Sequence, residues 1–233
     1  MLVKYGGGIV GASGSMAGNV AARNRFGNYM RAKTKPINPR SSRQSAARSV
    51  MQRLAEYWRL TTMTQAERDA WETYAAAVNW QNALGEVVHL TGFQMFMRSN
   101  ARRLACSATI IEAGPTTLSL PGADPTLAIT GAASTQLLSV VFDNTLDWAG
   151  ETGSYLAIYM GQPKCTTRNF FGGPWRFADV IAGVTGTPPT SPATMAAPFV
   201  LVEGQKIWTK ASIVGLDGRC SDFFQAAPVD VAA

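Results

Sequence analysis

The sequence predicts an α+β chain in several parts: an extended N-terminal arm, a small helical domain with a β-hairpin, and a C-terminal antiparallel β-sandwich. Three observations predict it. Residues 1–55 hold ten Lys or Arg and no acid, and their glycines and prolines discourage regular structure. Apolar residues recur at helical spacing across 41–106. Beyond residue 125, short apolar runs alternate with turn residues, the pattern of packed antiparallel strands. The divisions are 1–40 for the arm, 41–106 for the helical domain, 107–125 for a linker and 126–233 for the sandwich.

In the arm, glycines at 6, 7, 8, 11, 14, 18 and 27 raise the cost of ordering, and Pro36 and Pro39 push Lys35 and Asn38 toward extended geometry. Forty residues fully stretched reach roughly 130 Å, enough to cross a neighbouring subunit. Short strands around Asn28–Thr34 are expected where a partner supplies the other edge. Gly6, Gly8 and Gly11 match G-x-G-x-x-G, but a dinucleotide site needs a buried strand before the glycines, a helix opening among them and an acid about 20 residues later. Here Gly14 and Gly18 interrupt the helix, prolines occupy the second strand and the first acid is Glu56. No cofactor is expected. The glycines read instead as small residues that let backbone lie close against a neighbouring subunit.

A helix opens near Ser41 or Ser42, with Ala47, Val50, Met51, Leu54 and Trp58 as its apolar stripe down to about Leu60. Thr64 and Glu67 form a capping box for a second helix, which places Ala70, Trp71, Tyr74, Ala75 and Val78 on one face. The short connection predicts an antiparallel helical hairpin with Trp58 and Trp71 in its core. WQNALGEVVHL, residues 80–90, predicts a β-hairpin turning at Gly85. Thr91 and Gln94 cap a third helix with Phe93, Phe96, Met97, Ala101 and Leu104 inward. Arg98, Arg102 and Arg103 fall elsewhere on it, as a solvated or partner-facing side.

After the Pro/Gly-bearing linker, strands are expected at Thr126–Thr130, Leu137–Phe142, Tyr155–Met160, Arg176–Ala182, Ala197–Val202, Ile207–Val214 and Cys220–Gln225. GLDGRCS, residues 215–221, predicts a terminal hairpin turn with Asp217-Gly218 supplying positive φ. With this strand count, the D-G-R-x-S hairpin resembles fibronectin type III and immunoglobulin-like domains.

Only 15% of the residues are charged and 46% are hydrophobic. Soluble domains usually carry about a quarter charged, so large surfaces are expected to lie against other protein. No run of 18 apolar residues is present, and Lys4 followed by glycines argues against a secretory signal; no membrane partner is expected. Cys106, Cys165 and Cys220 are widely spaced, without a metal-binding pattern, and read as buried or lone thiols, with cross-linking between subunits as the sharper alternative. His89, the single histidine, reads as structural. Phosphate loops, zincin pairs and nucleophile elbows are missing, so no catalytic or metal residue is assigned and the chain is expected not to be an enzyme.

What remains is the charge asymmetry. Residues 56–233 carry eleven basic and fifteen acidic side chains, −4 against the arm's +10. Gly6, Gly8, Gly11, Arg23, Arg25, Tyr29, Arg31, Lys33, Lys35, Arg40 and Arg43 are the candidate subunit-interface residues, pairing with a neighbour's acidic body. One alternative is a nucleic-acid-binding protein whose arm contacts phosphates, with Phe26 and Tyr29 stacking on bases. The other is a host-surface or glycan-binding module using Phe170, Phe171 or Trp175 of the sandwich.

Asn24-Arg25, Gly27, Tyr29 and Arg31 spell N-R-x-G-x-Y-x-R, and Lys35-Pro36 with Asn38-Pro39-Arg40 spells K-P-x-N-P-R. Trp58, Arg68, Ala70-Trp71 and Tyr74-Ala75 follow in a helical setting. Residues 13–78 thereby resemble the N-terminal half of poorly characterised structural proteins of tailed bacteriophages, with Thr62-Met63-Thr64 standing where Leu-Thr is usual. The resemblance implies a homo-oligomeric virion subunit assembled in the host cytoplasm: head decoration or cement, neck or collar, or tail. Its implied partners are copies of itself and other virion structural proteins. No site residue is carried over from it.

Overall fold

The chain adopts the predicted α+β order, with an N-terminal β-meander, a helical region and a strand-rich C-terminal part. The computed structural model describes residues 1–60 and 63–233. Thr61 and Thr62, in the connection between the first two helices, lie outside the described residues, and with them the departure from the bacteriophage pattern at Thr62.

Three strands, β1 (Gly14–Met16), β2 (Asn19–Asn24) and β3 (Gly27–Ala32), form an antiparallel meander in the order β1-β2-β3. The expectation that these strands need a partner's edge is corrected: β2 pairs on both sides within the chain. The N-terminus folds back along β3, where the Val3 N–H donates to the Asn28 carbonyl (2.8 Å) and the Met30 N–H to the Met1 carbonyl (2.9 Å). Glycine disfavours helix, yet it supplies the tight turns of a hairpin. Ala17 (φ +48°) and Gly18 turn β1 into β2. Between β2 and β3, the Asn24 carboxamide accepts from the Phe26 N–H and Gly27 adopts φ +116°.

Helix α1 (Ser42–Arg59) starts at the Ser41 cap, α2 (Gln65–Ala77) at the Thr64/Glu67 capping box, and α3 (Gly92–Ala105) at the Thr91/Gln94 capping box. The first two helices do not form a hairpin closed on itself; both pack on α3. Trp58 and Trp71 meet Phe96 at 5.3 and 5.7 Å between ring centroids. Leu54, Trp71, Tyr74, Met95 and Phe96 form the buried centre. The α1 stripe holds only at Val50, Leu54 and Trp58, while Ala47 and Met51 face solvent. Strands β4 (Trp80–Gln81) and β5 (Val87–Val88) make the small hairpin around Gly85 (φ +78°). His89 follows it and is exposed, so it is not a core histidine.

Strands β6 (Ala128–Ala132), β7 (Leu137–Val141) and β10 (Ala193–Ala196) form one sheet, ordered β10-β7-β6. The other contains β8 (Tyr155–Gly161), β9 (Trp175–Ala182), β12 (Thr209–Val214) and β13 (Phe224–Gln225), ordered β13-β12-β8-β9. A short pair, β11 (Lys206–Ile207) with β14 (Val229–Asp230), completes the region. Leu138, Val140, Leu156, Ile158, Met160, Ala211 and Ile213 pack between the two larger sheets as one core.

Three strand expectations shift. No strand spans 197–202; Pro198 lacks the N–H a ladder needs, and the strand lies earlier, at β10. The expected Ile207–Val214 strand breaks at Trp208, where the chain leaves β14 and joins β8. Cys220–Gln225 is strand only at β13, because the Ser221 hydroxyl takes the Ile213 N–H (2.8 Å) that a longer ladder would use.

The linker is not a free connector. The Trp71 indole N–H donates to the Glu112 carbonyl (2.7 Å), the Tyr57 hydroxyl donates to the Glu112 carboxylate, and the Asn100 side chain bonds the Ile111 backbone in both directions.

Candidate subunit interface

Among the described residues, two polar contacts hold the arm's sheet to the β4–β5 hairpin. The Lys4 ammonium meets the Glu86 carboxylate at 2.7 Å, and the Asn82 side-chain amide donates to the Phe26 carbonyl at 3.1 Å. Both partners lie in the β4–β5 hairpin turn, where the Asn82 side chain also accepts from the Leu84 and Glu86 N–H groups. Of the meander, only Ala21 is fully buried.

Arg23, Arg25, Arg31, Lys33, Lys35, Arg40 and Arg43 are all exposed, and among the described residues none forms an ion pair. They do not share one face. Directly opposed residues of an antiparallel pair project to the same side, and register alternates sides along a strand. Arg23 opposite Asn28 therefore faces away from Arg31 opposite Val20. Tyr29 is half-buried on the side of Arg31, where Leu2 bridges to it. The structure thus offers cations on both sides of a thin sheet, and more along the exposed segment 33–43.

Gly6 and Gly8 stand in open space: a side chain at either would meet nothing within 4 Å, and one at Gly11 would approach only the Asn28 side chain, at 3.8 Å. Within the chain, no close backbone packing requires these glycines. The run opens onto β1 and not onto a helix, so the dinucleotide fold is not built around it.

The arginines of α3 behave in the opposite way, and here the sequence expectation is corrected. Arg98 donates to the carbonyls of Cys220 (2.7 Å) and Ser221 (2.9 Å) and to Asp222 (3.1 Å). Arg102 donates to the Ser212 hydroxyl (2.7 Å) and the Ser221 carbonyl (2.6 Å). Arg103 donates to the carbonyls of Thr109 (3.1 Å) and Gly215 (2.7 Å). Together they fasten the helix to β12 and the turn beyond it. The sheet β13-β12-β8-β9 is a middle layer, with the sandwich core on one face and α3, Cys106 and Cys220 against the other. Burial, then Arg98 beside it, pulls the Arg102 guanidinium below its ordinary value. The clue in the sequence is position: Arg98 and Arg102 are one helical turn apart on a helix whose neighbours are Ser99 and Asn100, small polar residues suited to a buried contact.

The aromatic run divides. Phe171 is buried, stacked on Trp208 (5.5 Å) and edge-on to Trp175 (5.0 Å), while Phe170 is exposed. Three rings side by side for a glycan are therefore not presented.

A concave site lies beside the sandwich. A cavity of about 890 Å³ opens between linker residues 120–123, the turn carrying Asp147–Gly150, and the turn at 215–219. Leu120, Leu146 and Pro188 give it apolar wall; Asp147 and Glu151 are exposed at it and form no ion pair among the described residues. Trp148 also lines it, 3% exposed, and its indole nitrogen has no acceptor. No cluster of three or more potential metal ligands occurs among the described residues, and no described helix is long and apolar enough to cross a membrane. Comparison with protein-family models, curated proteins and solved structures finds no match to the chain.

Proposed function

We propose that the protein is a non-enzymatic structural subunit of a bacteriophage virion, a homo-oligomer in which the basic N-terminal arm of each copy staples a neighbour. Its place is head decoration or cement, neck or collar, or tail. The observation that carries this reading is the set of seven exposed cations in residues 23–43, unpaired in a chain whose body is acidic. A neighbour's body supplies the missing carboxylates, and such complementarity sets partner choice and register. The bacteriophage-like run of residues 13–78 covers this same module and supports the virion setting. Low overall charge fits a subunit whose surface is covered in an assembly.

Antiserum against the chain, applied to intact particles made from the genome that encodes it, tests the reading. Labelling at repeated positions on the particle is expected; absence of the protein from density-purified particles would overturn it. Salt separates the nucleic-acid alternative. DNA binding that falls by orders of magnitude between about 50 and 200 mM salt, and vanishes on deletion of residues 1–48, would replace the structural reading.

A further inference from the structure

We infer that the cavity between linker and sandwich receives residues 33–41 of a second copy of this chain, with Ile37 seated on Leu120, Leu146 and Pro188 and Lys35 and Arg40 meeting Asp147 and Glu151. The inference rests on the interface reading above and gives the arm its receiving site.

The occupant is defined by residues 33–41. They form neither helix nor strand, and every one of them is exposed. The segment is nonetheless held at its start and near its middle: the Lys33 N–H donates to the Gly18 carbonyl (2.8 Å), and the Arg48 guanidinium donates to the Asn38 side chain (2.9 Å). It is presented as a loop between meander and α1. Ile37, 89% exposed, stands between Pro36 and the Asn38-Pro39 pair, with cations on either side. Each proline fixes its own φ and restricts the residue before it, so little chain entropy remains to be lost on docking. Segments of this kind dock into grooves by an apolar anchor and a preset backbone.

The receiving site is complementary in three respects. Its volume lies in the range of clefts that enclose a ligand, roughly 300–1,000 Å³. Its apolar wall matches one aliphatic anchor, and among the described residues Asp147 and Glu151 form no ion pair, the cavity's own cation, Arg219, being held by Asp217. The chain's own segment 33–41 stands exposed and does not line the cavity, which leaves it free to dock on another copy.

Two variants of the full chain test this. One reverses the groove, Asp147→Lys with Glu151→Lys; the other reverses the arm, Lys35→Glu with Arg40→Glu. Sedimentation velocity at about 50 mM salt, where exposed charges are least screened, measures self-association. Each variant alone is expected to self-associate at least tenfold more weakly than the parent chain, about the scale of losing two interfacial charge pairs. Mixed one to one they recover, because each arm then finds an oppositely charged groove. Ile37→Ser weakens association by about tenfold through loss of the anchor without altering charge. The inference is overturned if either reversed variant associates like the parent, if the mixture stays dissociated, or if the parent itself is monomeric at about 100 μM, well above the micromolar affinities of standard interfaces. Particle labelling is independent of these outcomes, so the virion reading and this contact fail separately.

Discussion

Arg103 on α3 is 3% exposed and ends on backbone carbonyls of Thr109 and Gly215, whereas Arg31 on β3 is exposed and meets no acid. Both are arginines on regular elements of one chain, and composition treats them alike. The difference lies in what surrounds them. Around Arg103, the turns at 107–109 and 215–218 bring carbonyls that no strand ladder uses, and a guanidinium with five donors satisfies several at once. Around Arg31, the sheet is one layer thick, and Ala21 is its single fully buried residue. A buried cation here is internal fastening; an exposed, unpaired one is, on the interface proposed above, capacity for a partner.

The sharpest way to break that comparison is to remove each guanidinium. Arg103→Met keeps the length of the side chain but strands the Gly215 and Thr109 carbonyls, at a cost of about 3 kcal/mol. Arg31→Met is expected to change stability by less than about 0.5 kcal/mol, as for most surface positions. Urea unfolding of the two proteins gives both numbers. Similar values for the two would mean that α3 is not fastened to the sandwich by its arginines.

A second pair contrasts linker and arm through glycine. A side chain at Gly114 would stand 2.7 Å from the Ala70 carbonyl carbon and 2.8 Å from the Trp71 nitrogen, both backbone atoms of α2 that cannot swing aside. Gly114→Ala is expected to cost about 2 kcal/mol, the usual scale of overpacking. Gly8→Ala meets open space and is expected to stay within about 0.5 kcal/mol of the parent. A tolerant Gly114 would make residues 107–125 a loose tether after all.

Local signals were well expressed in the sequence. Three helix starts were readable from Ser41, Thr64 and Thr91, because capping is a contact between residues three apart. The hairpin turns at Gly85 and Asp217-Gly218 were readable for the same reason. What distant partners decide was not readable. The role of α3 as common support for α1, α2 and β12 depends on three elements, one of them reached across 110 residues. An arginine stripe looks solvated until the carbonyls that receive it are in place. The candidate interface divides likewise: its basic residues were plain from composition, but their distribution over two faces of a meander follows from register, and the cavity is assembled from four separate segments. A charge count fixes neither.

The smallest effects expected come from the cysteines, which separate the welded layer from the exposed loop by chemistry. Cys106 and Cys220 lie together between α3 and the middle sheet, and all three cysteines are free thiols. Burial, with Cys220 beside it, pushes the Cys106 thiol from 9.0 up to about 12, and burial also raises Cys220. Cys165 is exposed, and hydrogen bonds from Thr167 hold its thiol below the ordinary value. The thiolate is the reactive species, so a maleimide or disulfide reagent at pH 8 is expected to modify Cys165 roughly 100-fold faster than the other two in the native protein. The pH dependence has a definite sign. Cys106 binds its proton more tightly in the folded state, so its contribution to stability is complete below its unfolded value near 9 and is lost as pH rises toward 12. Tyr74, pushed by burial from 10.0 to about 12, acts in the same direction. Unfolding midpoints are therefore expected to fall above pH 9, and Cys106→Ala to flatten the first part of that fall at a small cost at neutral pH. Equal labelling of Cys106 and Cys165 in the folded chain would mean that the layer between α3 and the sheet opens readily, and the distinction between fastened and free arginines would lose its structural basis.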